Sequence, residues 1–73
     1  MKKSVHTKEY AEFVERLKKA RLDVGLTQAQ VAKKLDRPQS HISNVESGQQ
    51  RVDVVELKRF AKIYKKSVDY FLR

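Results

Sequence analysis

Seventy-three residues hold one domain at most, and a chain of this size buries only about 60% of the surface its unfolded form exposes, so a helical bundle with local contacts suits it best. The absence of cysteine excludes disulfides and thiolate metal ligands and is compatible with a reducing compartment. Seventeen Lys and Arg against nine Asp and Glu leave a net charge of +8, which favours a polyanionic partner through phosphate neutralisation and counterion release.

Membrane use of that charge is disfavoured. The longest apolar run, Tyr70-Phe71-Leu72, cannot cross a bilayer. A surface-bound helix would need a long amphipathic segment, whereas the apolar faces here are short and needed for a core. Met1 to Tyr10 lacks the apolar segment of a signal peptide, so a cytoplasmic location is expected.

Residues 1–7 (MKKSVHT) show no periodicity and are expected to form a flexible basic arm in which His6 is solvated, ahead of a domain over 8–73. The first helix is predicted from Lys8 to Val24, with Tyr10, Phe13, Val14, Leu17, Ala20 and Val24 on one stripe. Glu12–Arg16 and Glu15–Lys19 are spaced as i,i+4 pairs on its wet face, and Gly25 stops it. Thr27 is a good N-cap for a second helix, Gln28 to Leu35, whose core side is Val31, Ala32 and Leu35. The free N–H groups at its start suit a phosphate.

Asp36-Arg37 breaks that pattern, and Asp tolerates left-handed backbone better than most residues. Pro38 fits the first turn of a third helix, which runs to about Ser47 with Gly48 as a left-handed C-cap. Two short helices about a tight break form a helix-turn-helix pattern. Asp53 to Glu56 resembles a capping box for a fourth helix. Its stripe is Leu57, Phe60, Ala61 and Tyr64, and its basic face, Lys58, Arg59, Lys62, Lys65 and Lys66, is read as solvated. Ser67 is placed to cap a last short helix, Val68 to Leu72.

At 100° per residue the third helix divides sharply. Ile42, Val45 and Glu46 fall on one side, while Gln39, Ser40, Ser43, Asn44 and Ser47 fall within one arc on the other. All five are uncharged donors and acceptors. The plain reading is a solvated face. The sharper one is a face that reads base edges, since Gln and Asn match adenine in bidentate fashion and Ser serves several bases. His41 plots at the edge of this arc and reads as a boundary residue. After it, Gln49, Gln50 and Arg51 can meet phosphates or merely line a solvated loop. No Ser, His and Asp are arranged for catalysis, and no metal or cofactor constellation is present in the pattern.

Gly25-Leu26-Thr27-Gln28, Val31-Ala32, Leu35, Gln39-Ser40, Ile42-Ser43, Glu46 and Gly48, taken in order, resemble the phage repressor and Cro type of helix-turn-helix domain, the XRE family, over roughly Phe13 to Leu72. The resemblance implies an all-α, compact five-helix bundle of the lambda-repressor-like DNA-binding type, with the helix-turn-helix at helices two and three. It implies that Arg21 pairs with Glu46 to fix the recognition helix, a pairing the helical plot favours because Glu46 lies toward the core. It also gives Gln28 two jobs, touching a phosphate and steadying Gln39. Asp36 stands where the family usually has Gly, Pro38 where Ser or Thr is common, and Lys65 where Gly is frequent.

The resulting expectation is a sequence-specific double-stranded DNA-binding transcriptional regulator that represses by occupying its operator. Gln39, Ser40 and Asn44 would read bases with Ser43 in support, while Thr27, Gln28, Ser47, Gln49 and Arg51 would hold the backbone. The surplus of Val52, Val54, Val55, Val68, Tyr70, Phe71 and Leu72 beyond an obvious core suggests a homodimer on a two-fold symmetric operator. The alternatives within the same fold are an antitoxin bound to a toxin protein and a controller of restriction-modification genes. An RNA-binding module is disfavoured because the aromatic residues sit on core stripes.

Overall fold

Five helices are built from residues 7–73, the part of the chain that the computed structural model describes: α1 Lys8–Asp23, α2 Gln28–Leu35, α3 Gln39–Glu46, α4 Val54–Tyr64 and α5 Val68–Leu72. Most of the expected arm, with His6, lies outside the described residues. Its last residue, Thr7, is the N-cap of α1, with Oγ1 accepting a hydrogen bond from the Tyr10 N–H at 3.2 Å.

The apolar stripes of the helices meet in one core. α1 packs on α3, α4 and α5, α2 packs on α3 and α4, and α4 packs on α5. Leu17, Ala20, Val31, Ala32, Leu35, Ile42, Val45, Leu57, Phe60, Ala61, Tyr64 and Phe71 are buried together there. Each large side chain fully removed from water stabilises this packing by about 1.5–3 kcal/mol. The surplus apolar residues divide: Phe71 is buried, Val52, Val68 and Tyr70 pack against the core, and Val54, Val55 and Leu72 stay exposed.

Four helix stops share one geometry. Gly25, Asp36, Gly48 and Lys65 all have positive φ, at 75°, 59°, 84° and 59°. Behind each, an amide reaches back five residues: Leu26 to Arg21 O at 3.2 Å, Arg37 to Ala32 O at 2.9 Å, Gln49 to Asn44 O at 2.9 Å and Lys66 to Ala61 O at 3.0 Å. This left-handed closure satisfies orphan carbonyls and turns the chain tightly enough to start the next element. Two of the four positions carry a Cβ, so the backbone there is strained in exchange for the turn.

Several local expectations are corrected. Pro38 is the N-cap of α3 (φ −65°, ψ 153°), one residue before the helix, because its fixed φ suits both positions and its extended ψ decides between them. α3 itself ends at Glu46 and α1 at Asp23. Lys19 turns to Asp23, at 3.4 Å, in preference to Glu15, and Lys66 also approaches Asp23, at 3.8 Å. Lys66 is therefore not a plainly solvated cation; its ammonium also lies 4.7 Å from the centre of the Tyr70 ring. Ser67 sits at the N-cap of α5 but its hydroxyl makes no cap hydrogen bond.

The caps of α2 and α4 differ in a way that matters for α3. Thr27 and Gln30 form a complete capping box: the Gln30 N–H donates to Thr27 Oγ1 at 3.1 Å, and the Thr27 N–H donates to Gln30 Oε1 at 2.8 Å. At α4 only half of the expected box exists. The Glu56 N–H donates to Asp53 Oδ1 at 2.8 Å, but the Glu56 carboxylate turns away to another helix.

Candidate nucleic-acid interface

α3 presents two opposite faces. Ile42 and Val45 are sealed into the core at 0% and 1% exposure, which forces Gln39, Ser40, Ser43 and Asn44 outward, and all four are exposed. Within the described residues, no side-chain hydrogen bond holds any of the four, so their donors and acceptors are available to a partner.

The C-terminal end of α3 is fixed from below. Arg21 Nε donates to Glu46 Oε2 at 2.6 Å and Arg21 Nη2 donates to Glu46 Oε1 at 3.0 Å. The third arm of the guanidinium, Nη1, donates to the Leu26 carbonyl at 2.9 Å, which adds the α1–α2 loop to the same anchor. The hydrogen bond to Glu46 raises the Arg21 pKa above its ordinary value against the opposing effect of burial. Burial, and after it the charge of Glu46, pushes the Tyr64 phenol well above its usual range, so the residue beside the pair stays neutral.

Gln28 joins this anchor: its Nε2 donates to Glu46 Oε1 at 3.0 Å. The expected support of Gln39 by Gln28 is thus replaced by a bond to a carboxylate, a stronger acceptor than a neutral amide. Around Gln28 the start of α2 faces outward. Thr27 is exposed, and its hydroxyl, although accepting from Gln30, keeps its own proton to donate.

Beyond α3, Ser47 Oγ donates to the Asn44 carbonyl at 3.1 Å, so this hydroxyl must swing before it can donate to a phosphate. Gln49 is exposed. Gln50 donates to the Arg51 carbonyl at 3.3 Å. The Arg51 guanidinium lies 4.3 Å from the centre of the Tyr10 ring, within the range of a cation–π contact.

One cluster was not anticipated from the sequence. His41, read as a boundary residue, is turned toward α4: its Nε2 lies 2.7 Å from Glu56 Oε1 and its side chain is 9% exposed. Arg37, from the break before α3, reaches His41 Nδ1 at 3.1 Å and donates to Glu56 Oε2 at 3.2 Å. The four-residue spacing of Arg37 and His41 was visible, but nothing local pointed to Glu56.

Among the described residues no group of His, Cys, Asp or Glu could hold a metal ion, and no helix is long and apolar enough to cross a membrane. A family model described as Helix-turn-helix matches residues 17–71, from the middle of α1 into α5. No curated protein matches the chain.

Proposed function

Because the chain belongs to the helix-turn-helix family, in its phage repressor and Cro (XRE) branch, and is thereby a DNA-binding domain of the transcription-regulator type, we propose that it is a sequence-specific repressor acting by operator occupancy in the cytoplasm. The observation that carries this reading is the exposed, uncharged set Gln39, Ser40, Ser43 and Asn44 on the side of α3 opposite buried Ile42 and Val45.

In this reading α3 enters the major groove. The amides of Gln39 and Asn44 present a donor and an acceptor together, the pattern that matches the edge of adenine, while Ser40 and Ser43 adjust to neighbouring bases. Thr27, Gln28, Ser47, Gln49 and Arg51 hold the sugar-phosphate backbone and carry register, not sequence. The net charge of +8 supplies the salt-dependent part of the affinity.

Two copies would bind a two-fold symmetric operator with half-sites about one helical turn apart. What supports a dimer is the exposure of Val54, Val55 and Leu72, at 65%, 58% and 61%, on a bundle whose core is already filled.

Selection of bound duplexes from a random pool at near-physiological salt tests the reading. The expected result is a two-fold symmetric consensus. Enrichment without a consensus would remove sequence reading, and a lone asymmetric half-site would remove the dimer.

A further inference from the structure

Building on the DNA-reading role of α3, we propose that Glu56 is a positioning residue for base recognition, holding the N-terminal end of α3 from α4 through His41 and Arg37. The two ends of α3 are held by different means. Glu46, at its last turn, is gripped by Arg21 and Gln28. The first turn starts after Pro38, which provides no side-chain cap, yet this turn carries Gln39 and Ser40, two of the reading side chains. A small rotation there displaces both against a base edge.

Glu56 meets that need at a local cost. Its position, third in α4 after the Asp53 cap, is the one from which a Glu ordinarily bends back to the cap amide, as Gln30 does in α2. Glu56 instead gives Oε1 to His41 and Oε2 to Arg37, and its side chain is only 13% exposed. Surface ion pairs contribute little because water screens them, but this carboxylate is largely shielded, and both of its oxygens are committed to the turn and to α3.

The chemistry of the partners sets the direction of each bond in the cluster. Arg can only donate, so His41 Nδ1 accepts from it, Nε2 carries the hydrogen, and that N–H donates to Glu56. The ring thus bridges Arg37 and Glu56 with both nitrogens used. The charged groups that face His41 are Arg37, from the α2–α3 break, and Glu56, from α4; among the described residues no ionisable side chain of α1 or α2 pairs with it.

Charge alone would act in the opposite direction. Removing the negative charge of Glu56 raises the net positive charge and should strengthen binding to any duplex. A loss confined to the selected duplex is therefore the signature of lost positioning.

The test measures affinity of the full chain for a selected duplex and for a random duplex at fixed salt and pH, with thermal melting to establish the folded fraction. Wild type should prefer the selected duplex. Glu56→Ala should bind the selected duplex about tenfold more weakly and the random duplex no more weakly than wild type. His41→Gln, whose amide can donate to Glu56 and accept from Arg37, should keep the preference. If Glu56→Ala melts below the working temperature, Glu56→Gln, which sets an amide N–H against Arg37, takes its place with the same expectation. Equal losses on both duplexes, or an unchanged preference, overturn the role of Glu56 alone. A wild type without any preference overturns the DNA-reading proposal itself and this one with it.

Discussion

Arg21 on α1 and Glu46 on α3 meet as a two-pronged pair whose side chains are only 10% and 5% exposed. In such surroundings the pair specifies geometry more securely than it stabilises, because two charges have been taken from water to make it. Its loss by halves is another matter. Arg21→Met leaves the Glu46 carboxylate buried with only Gln28 to satisfy it and should destabilise the fold by about 3–5 kcal/mol. Arg21→Met with Glu46→Leu should be milder than the sum of the single changes, although Gln28 and the Leu26 carbonyl then lose partners. A double-mutant cycle by urea unfolding measures this; additive losses would contradict the coupling.

On the reading face, Asn44 and Arg51 should separate cleanly. Asn44→Ala removes an exposed amide whose side chain has no partner among the described residues, so it should cost about 1–3 kcal/mol on a cognate duplex and little on random DNA. Arg51→Ala should weaken all sequences alike and lower the salt slope by about 1. Equal losses for Asn44→Ala on both duplexes, or an unchanged slope for Arg51→Ala, would strike the residue from its role.

The sequence carried what short-range chemistry decides. The α2–α3 break at Asp36 and the stop at Gly48 follow from residues that tolerate positive φ, and the structure has both there. Where two outcomes are locally equivalent, the sequence does not choose between them. Pro38 has the right φ for the cap and for the first turn alike, so its displacement by one residue could not be read. Lys19 has an acid four residues away on each side, Glu15 and Asp23, and it pairs with Asp23, which Lys66 also approaches. Glu56 matched a capping pattern, but a carboxylate also answers a His and an Arg brought close by folding, and those partners are invisible until α3 and α4 pack. Gln28 went to Glu46 for the same reason.

Left-handed backbone at Lys65 had no local signature beyond the resemblance, which places Gly there. At φ 59° a side chain costs about 1–2 kcal/mol, while glycine returns roughly 0.5–1 kcal/mol of that through the entropy of the unfolded chain. Lys65→Gly should therefore raise stability by several tenths to about 1 kcal/mol, and Asp36→Gly by less, because Asp suits this region better. Thermal unfolding decides it, and a fall in the midpoint for Lys65→Gly would mean that its side chain contributes more than its backbone costs.

Tyr64 gives the fold a dependence on alkaline pH. It is 1% exposed, and burial first, then the charge of Glu46, raises its pKa while Arg21 opposes this weakly. In the unfolded chain the phenol titrates near its usual value of about 10. Below that pH both states keep the proton and the contribution of Tyr64 to stability is fully present. Above it the unfolded chain releases a proton that the folded chain retains, so stability falls as pH rises toward the folded value. Tyr64→Phe cannot ionise in either state, and its unfolding free energy should fall less than that of wild type between about pH 9 and pH 11. Urea titrations at the two pH values measure the difference. Parallel losses in the two proteins would mean that the phenol ionises within the fold as readily as outside it, and the buried neighbourhood of the Arg21–Glu46 pair would have to be less dry than its exposure indicates.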